Sequence, residues 1–283
     1  MTLIHGGDVQ GYIDEYGDAP LDFSANLNPL GLPDGVREAV CRAAADSARY
    51  PDPLCRELRR ALAGFEGVDP EEILCGNGAA DLIFRVALAL RPQKALTLAP
   101  TFAEYETALR LAGCAVEHFP LEETDGFAVR PAILGALDGV DAVFLCNPNN
   151  PTGRLCDPAL LRELLKRCAA RGVLLVVDEC FNDFLDEPEA HSLKPLLRKY
   201  PNLLLLKAFT KIYAMAGLRL GYCLCADREL LAKLRGAAQP WAVSTVAQTA
   251  GIAALCETEY RARSRALIRT ERAYLSAQLA APG

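Results

Sequence analysis

The stretch DAVFLCNPNNPTGRLCDPALLRELLKRCAARGVLLVVDEC, residues 141–180, decides the reading of the chain. It opens on an unbroken apolar run, DAVFLC, and passes through the polar, proline-bearing loop Asn147-Pro148-Asn149-Asn150-Pro151-Thr152-Gly153. Helical spacing follows over 158–171, and a second apolar run, VLLVV, ends in Asp178-Glu179. Continuous apolar runs of strand length on either side of an amphipathic helix describe two strands buried on both faces and joined by a helical crossover.

The same alternation extends outward. Upstream, ILCGNG (73–78) runs from a short strand into a glycine loop, AADLIFRVALAL (79–90) is a helix, ALTLAP (95–100) a strand, and about 102–112 a helix. Downstream, LLLLKAF (203–209) and LRLGYCLCA (218–226) are further buried strands. Residues 34–46 read as a helix with Asp34 at its N-cap, and 54–66 as another through Leu54, Leu58, Leu62 and Phe65. RYPDP (49–53) is a loop, residues 1–30 form an irregular arm rich in Gly, Asn and Pro, and 255–280 form a long helix leaving the domain. No regular element is assigned between about 113 and 140. Strands alternating with helices predict a three-layer α/β/α fold.

Bulk properties bound the function. The 283 residues exceed most single cores, and 51% hydrophobic with 23% charged residues fits an ordinary globular protein. A net charge of −6 and no Lys/Arg run argue against nucleic acid, while leaving room for a locally positive pocket. The cysteine count of 11 is odd and no C-x-x-C pair occurs. Several, such as Cys146, Cys223 and Cys225, sit in apolar runs, so they read as small buried hydrophobes in a reducing compartment, with no metal site. The first residues show no secretory pattern, and no apolar run reaches the about 18 residues that span a bilayer, so no membrane partner and a cytoplasmic location are expected.

In open α/β sheets, ligands gather at the carboxyl ends of the strands, so the polar residues there carry the chemistry. Cys75-Gly76-Asn77-Gly78-Ala79-Ala80 opens a helix whose free N–H groups suit a phosphate, although such a loop taken singly is equally an ordinary strand–helix turn. The Asn147–Gly153 loop is rigid and polar, and would be a plain turn in another setting. Asp178 ends an apolar strand, where a carboxylate is costly without a partner; that partner is either a helix start or a protonated ring nitrogen. Thr210-Lys211 follows another apolar strand and leads into Gly217-Leu218-Arg219-Leu220-Gly221-Tyr222. A lysine there is usually just solvated, but here it joins an acid, an Asn loop and a glycine-led helix at neighbouring strand ends.

Taken together, GNG (76–78), NPNNPTG (147–153), DECF (178–181) and TKIYAMAGLRLGY (210–222) resemble the fold-type-I pyridoxal-phosphate enzymes, in the histidinol-phosphate aminotransferase branch. The resemblance implies an aspartate-aminotransferase-like fold and pyridoxal 5′-phosphate as cofactor. By motif, Lys211 matches the lysine that carries the cofactor and Asp178 the acid opposite the pyridinium nitrogen. Asn150 matches the partner of the ring hydroxyl and Phe102, in PTFAEYE, the aromatic stacked on the ring. Gly78, Ala79, Ala80, Thr210 and Arg219 match the phosphate site, to which Tyr50 would reach from the other subunit of a homodimer. Two positions depart from the pattern: Phe181 stands where a tyrosine is common, and Ala208 where a Ser or Thr often binds the phosphate.

Within this branch, HGGD (5–8), DFSANLNP (22–29), PTFAEYE (100–106), DECFNDF (178–184) and QPWAVS (239–244) are similar to the threonine-phosphate decarboxylases of cobalamin biosynthesis. That resemblance implies loss of CO2 from a small phosphorylated amino acid, L-threonine O-3-phosphate, with His5, Asn26 and Asn150 facing substrate. Transamination, as in histidinol-phosphate aminotransferase, is the alternative, and a non-catalytic pyridoxal-phosphate-binding protein the alternative of another class. The implied organisation is an arm over 1–30, a large cofactor-binding domain over 31–245, and the start of a small C-terminal domain over 246–283. That small domain is expected to be incomplete, with the arginine for the substrate carboxylate lying beyond residue 283.

Overall fold

The computed structural model describes residues 6–280. The strands are β1 (Ile73–Gly76), β2 (Lys94–Ala99), β3 (Ala115–Pro120), β4 (Ala142–Cys146), β5 (Leu174–Asp178), β6 (Leu203–Ala208) and β7 (Gly221–Leu224). The helices are α1 (Val9–Tyr16), α2 (Asp34–Ala43), α3 (Arg56–Glu66), α4 (Gly78–Leu90), α5 (Glu104–Leu111), α6 (Pro158–Arg171), α7 (Phe209–Ile212), α8 (Arg228–Gly236), α9 (Thr245–Leu255) and α10 (Thr258–Ala280). The strands form one sheet in the order β1-β7-β6-β5-β4-β2-β3. All neighbours are parallel except β7, which runs against both β1 and β6.

Strand alternation builds the layers. Val143, Leu145, Leu175, Val177, Leu203 and Leu205 join one buried cluster with Leu58 and Leu62 of α3, Leu161, Leu164 and Leu165 of α6, and Ala250 of α9. Their neighbours Ala142, Phe144, Leu174, Val176, Leu204 and Leu206 join a second with α4, α5 and α8 through Ile83, Val86, Leu109 and Leu231. Each fully buried leucine contributes roughly 1.5–3 kcal/mol, so both faces must be covered, and the three layers follow. The crossover helix α6 begins where Asp157 accepts hydrogen bonds from the Ala159 and Leu160 N–H groups at 2.9 Å, with Pro158 in its first turn, and ends at a left-handed Gly172.

The structure departs from the sequence reading at several points, α8 and α9 among them, in a stretch where no element is read. Strand β3, within the stretch left unassigned, is an edge strand whose Glu117 and His118 are exposed and whose Phe119 is buried, so it lacks an apolar run. The arm contains α1, capped by Asp8 and without a buried residue. Asp34 is the first helical residue of α2; Pro33 occupies the N-cap and makes no side-chain cap.

One buried ionic cluster crosses the α3 face. Glu66 meets the Lys194 Nζ at 2.9 Å and the Lys207 Nζ at 3.5 Å, and accepts from the Tyr222 hydroxyl at 2.5 Å. Lys207, on β6, also lies 3.7 Å from Glu179, which accepts from the Ser192 hydroxyl and the Leu193 N–H. Burial would raise the Glu66 carboxyl, but Lys207, Lys194 and Tyr222 outweigh it and hold it below its usual range. Burial wins at Glu179 and pushes it up despite Lys207. Glu66 therefore contributes stability that is present above the ordinary carboxylate range and is lost as pH falls through its depressed value. Lys207→Met leaves two buried carboxylates without their shared cation and should cost roughly 3–5 kcal/mol in urea denaturation; an unchanged midpoint would show that the cluster does not depend on Lys207.

Candidate active site

β1, β2, β4, β5 and β6 point the same way, so their carboxyl ends share one edge of the sheet. Because β7 is reversed, the residues that precede it, Arg219 among them, arrive at that same edge. A cavity of about 190 Å³ opens there, lined by Ala79, Ala80, Phe102, Cys146, Asn150, Asp178, Cys180, Phe181, Ala208, Thr210, Lys211 and Arg219. Segments far apart in sequence thus converge because strand ends do.

Asp178 is buried, and both of its oxygens are engaged. Oδ1 accepts from the Cys180 N–H at 2.9 Å, and Oδ2 from the Tyr105 hydroxyl at 2.7 Å. Burial and the Asp178 charge push the Tyr105 phenol well above its ordinary value, so it stays a donor. Burial likewise raises the Cys180 thiol, with Asp178 adding to the effect.

Lys211 sits in α7, immediately after β6, with its Nζ 5.6 Å from the centre of the Phe181 ring. Burial lowers its ammonium pKa; Cys180 opposes the shift and Arg219 adds to it. Among the described residues no carboxylate pairs with it. A larger fraction of this amine is therefore neutral, and nucleophilic, than for a solvated lysine.

The opposite wall is bare backbone. Asn77, the N-cap of α4, makes no side-chain cap, which leaves the first-turn N–H groups of Ala79 and Ala80 facing the cavity. The Arg219 residue is left-handed, with φ 58°, and donates to the Ala216 carbonyl at 3.2 Å. Its guanidinium lies against Gly78, where an added Cβ would come within 2.6 Å of Nη2. At Gly221 a Cβ would stand 2.5 Å from the Ala79 nitrogen and 2.7 Å from the Gly78 carbonyl carbon. Two missing side chains let β7, Arg219 and the start of α4 close on one another.

Pyridoxal 5′-phosphate fits this donor set. An uncapped helix start beside an arginine with no carboxylate partner among the described residues suits a phosphate. A buried carboxylate suits a cationic ring nitrogen, Phe102 offers a flat apolar face, and Lys211 offers an amine. Ala208 brings no hydroxyl to the cavity, whereas Thr210 lines it.

The sequence-selected residues are distributed unevenly. Ala79, Ala80, Phe102, Asn150, Asp178, Thr210, Lys211 and Arg219 meet in the one cavity, and Gly78 opens the helix behind it. Tyr50 does not: it is exposed, stacked on Trp241 at 4.3 Å beside a second cavity of about 290 Å³. Asn26 is exposed and outside the cavity. His5 lies outside the described residues. Residues the sequence did not single out are Tyr105, Cys146, Cys180 and Asn28. Asn28 is buried and donates to the Ile212 carbonyl at 2.7 Å and the Ser264 hydroxyl at 2.5 Å, while its own N–H reaches the Lys211 carbonyl at 3.2 Å. The repeated Asn of NLNP is the available signal, with Asn28 its buried member and Asn26 its exposed one. Among the described residues no group of three or more His, Cys, Asp or Glu could hold a metal, and no helix is long and apolar enough to cross a membrane.

Residues 19–283 match the sequence profile of the family described as aminotransferase class I and II. The chain is 39% identical over 271 residues to threonine-phosphate decarboxylase of Salmonella typhimurium, covering 94% of this chain and 74% of that protein. It is 36% identical over 266 residues to histidinol-phosphate aminotransferase 1 of Cupriavidus pinatubonensis, covering 93% and 69%. Among solved structures it superposes on the histidinol-phosphate aminotransferase of Clostridium acetobutylicum with a TM-score of 0.85 and 30% identity, covering 92% of this chain and 77% of that one. It superposes on the L-threonine-O-3-phosphate decarboxylase of Porphyromonas gingivalis with a TM-score of 0.73 and 28% identity, covering 84% and 72%.

The close approach at Gly221 is open to test. Gly221→Ala should force β7 from the start of α4, costing roughly 1–3 kcal/mol in thermal denaturation and speeding cofactor loss on dialysis. Gly236→Ala, where a Cβ meets nothing within 4 Å, should do neither. Equal behaviour of the two variants would show that the cradle does not depend on this contact.

Proposed function

The chain belongs to the class I and II aminotransferase family of enzymes, with pyridoxal 5′-phosphate as its cofactor, and from that premise we propose that it decarboxylates L-threonine O-3-phosphate to (R)-1-amino-2-propanol O-2-phosphate. The observation that carries the substrate is the 39% identity to a threonine-phosphate decarboxylase, extending over nearly the whole chain. The geometry supports the chemistry: the amine of Lys211, the carboxylate of Asp178 and the Arg219 cradle line one cavity.

When bound, the cofactor supplies an electron sink for the bond broken at the substrate Cα. The chain's own groups do the rest. Lys211 is the attachment point, and its partly desolvated amine is then the group placed to deliver a proton to Cα. Asp178 would sit opposite the ring nitrogen, where its two bound oxygens leave it an acceptor. Arg219 and the Ala79 and Ala80 N–H groups hold the phosphate, with Thr210 beside them. Phe102 would offer its face to the ring, and Asn150 would donate to the ring hydroxyl. Phe181 contributes no hydroxyl and packs its ring against Lys211. The products balance the substrate: CO2 leaves, one proton replaces it, and the amino group remains.

A second reading is transamination of histidinol phosphate, favoured by the TM-score of 0.85 to a histidinol-phosphate aminotransferase. The two reactions part on products. Threonine phosphate should release CO2 without any keto acid, and Lys211→Ala should release none. Glutamate formed from histidinol phosphate and 2-oxoglutarate, with no CO2 from threonine phosphate, would replace the first reading by the second.

The active unit is proposed to be a homodimer in which Tyr50 completes the neighbour's phosphate site. The supporting observation is that Tyr50 and Trp241 form an exposed stacked pair outside their own cavity. Light scattering should give twice the chain mass, and Tyr50→Ala should weaken cofactor retention. A monomer that binds the cofactor tightly would overturn this arrangement.

A further inference from the structure

Tyr105 stands outside the lining of the cofactor cavity and touches three of the residues that form it, Asp178, Phe102 and Cys146. It lies in the first turn of α5 and is buried. Its hydroxyl donates to the Asp178 Oδ2 at 2.7 Å. Its ring meets Phe102 edge-on at 5.6 Å and lies tilted against Phe144 of β4 at 5.7 Å. We infer that Tyr105 is the positioning residue of the site: its hydroxyl fixes the plane of the Asp178 carboxylate, and its ring fixes Phe102, so that one buried side chain sets the acid and the stacking face relative to each other.

The argument rests on how a carboxylate is held. The Cys180 N–H binds Oδ1, but it belongs to the turn that carries Asp178, and one local donor leaves the group free to rotate about its last bond. A second donor on a different element removes that freedom. With Oδ1 and Oδ2 each accepting one hydrogen bond, the remaining lone pairs of the carboxylate are directed by the two donors and not by chance. Tyr105 suits the task because its phenol stays protonated across the working pH range. Its rotamer is held by the aromatic rings on either side. The sequence offers the same proximity: residue 102 lies just before α5 and residue 105 in its first turn, so the ring face and the hydroxyl rise from one short segment. The neighbouring thiol of Cys146 is buried and likewise raised by its burial, so no competing charge faces the hydroxyl from β4.

This inference rests on the proposed role of Asp178, and the experiment separates the two. The holoenzyme is loaded with cofactor labelled with 15N in its ring. The 15N chemical shift and the cofactor dissociation constant are then read for wild type, Tyr105→Phe, Asp178→Asn and Phe144→Leu. Tyr105→Phe keeps the ring packing and removes only the donor. It should shift the 15N signal toward that of a neutral ring and raise the dissociation constant roughly tenfold, the loss expected for one hydrogen bond to a charged group. Phe144→Leu disturbs the same core without touching the hydroxyl and should leave the 15N signal in place. Asp178→Asn should shift it at least as far as Tyr105→Phe does. If Asp178→Asn leaves the signal unmoved, the role of Asp178 fails and this inference falls with it. If Asp178→Asn moves the signal and Tyr105→Phe does not, only the role of Tyr105 fails. If Phe144→Leu matches Tyr105→Phe in both readouts, Tyr105 is a packing residue and the inference is overturned.

Discussion

Two adjacent carboxylates end the central strand of this sheet, and neither can remain buried without partners. Strand alternation sends Asp178 and Glu179 to opposite faces. Glu179 turns toward α3, where Ser192, the Leu193 N–H and Lys207 meet it. Asp178 turns toward α5, where Tyr105 meets it beside the cavity. Burying a charge is costly unless it is hydrogen-bonded and paired, so these two residues dictate what must surround the end of β5. On one side a cation and two hydrogen-bond donors answer it, although burial still raises the Glu179 carboxyl, and the result is a closed ionic cluster. On the other it is met by neutral donors only, and the remaining capacity of the carboxylate faces a hollow. That difference between two neighbouring acids is the physical origin of the site.

Most of the central sheet was legible because β4, β5 and β6 are buried on both faces and therefore read as continuous apolar runs. The edge strand β3 was not, since each face meets the core through a single side chain, Val116 or Phe119, and the exposed Glu117 and His118 between them break the pattern. The cavity was legible from the strand ends, because polar residues there are unusual enough to stand out. Its supporting residues were not. Tyr105 looks like any aromatic on an amphipathic helix, and its partner lies 73 positions away in the chain. Asn28 looks like a turn residue, yet it binds backbone 184 positions away. Local periodicity reports which residues are buried and is silent on which distant group each one meets.

Asn28 also shows how the site is tied to the periphery. It binds the carbonyls of Lys211 and Ile212 and the hydroxyl of Ser264, which itself donates to the Tyr260 carbonyl within α10. The arm, the lysine-bearing turn and the last helix therefore share one buried amide. Tyr260 closes the same junction from the other side, donating to the Gly31 carbonyl at 2.5 Å. A short α7 with only one turn has little rigidity of its own. These contacts supply it from outside and tie the lysine-bearing turn to both the arm and α10.

The same electrostatic logic separates the lysines of this region. Lys207 and Lys211 are close in sequence, yet Lys207 faces α3 and is held charged by Glu66 and Glu179. Lys194 is 2.9 Å from the same Glu66. An ammonium held charged by buried carboxylates cannot give up its proton cheaply, so Lys207 cannot act as a nucleophile. Lys211, displaced past the end of β6 into α7, escapes that cluster and meets an aromatic ring, a thiol and a second cation instead. Burial and Arg219 favour the neutral amine there, and they outweigh the Cys180 thiol. The step from β6 into α7 thus carries the reactive lysine across the sheet edge, from a compartment that stabilises positive charge to one that does not.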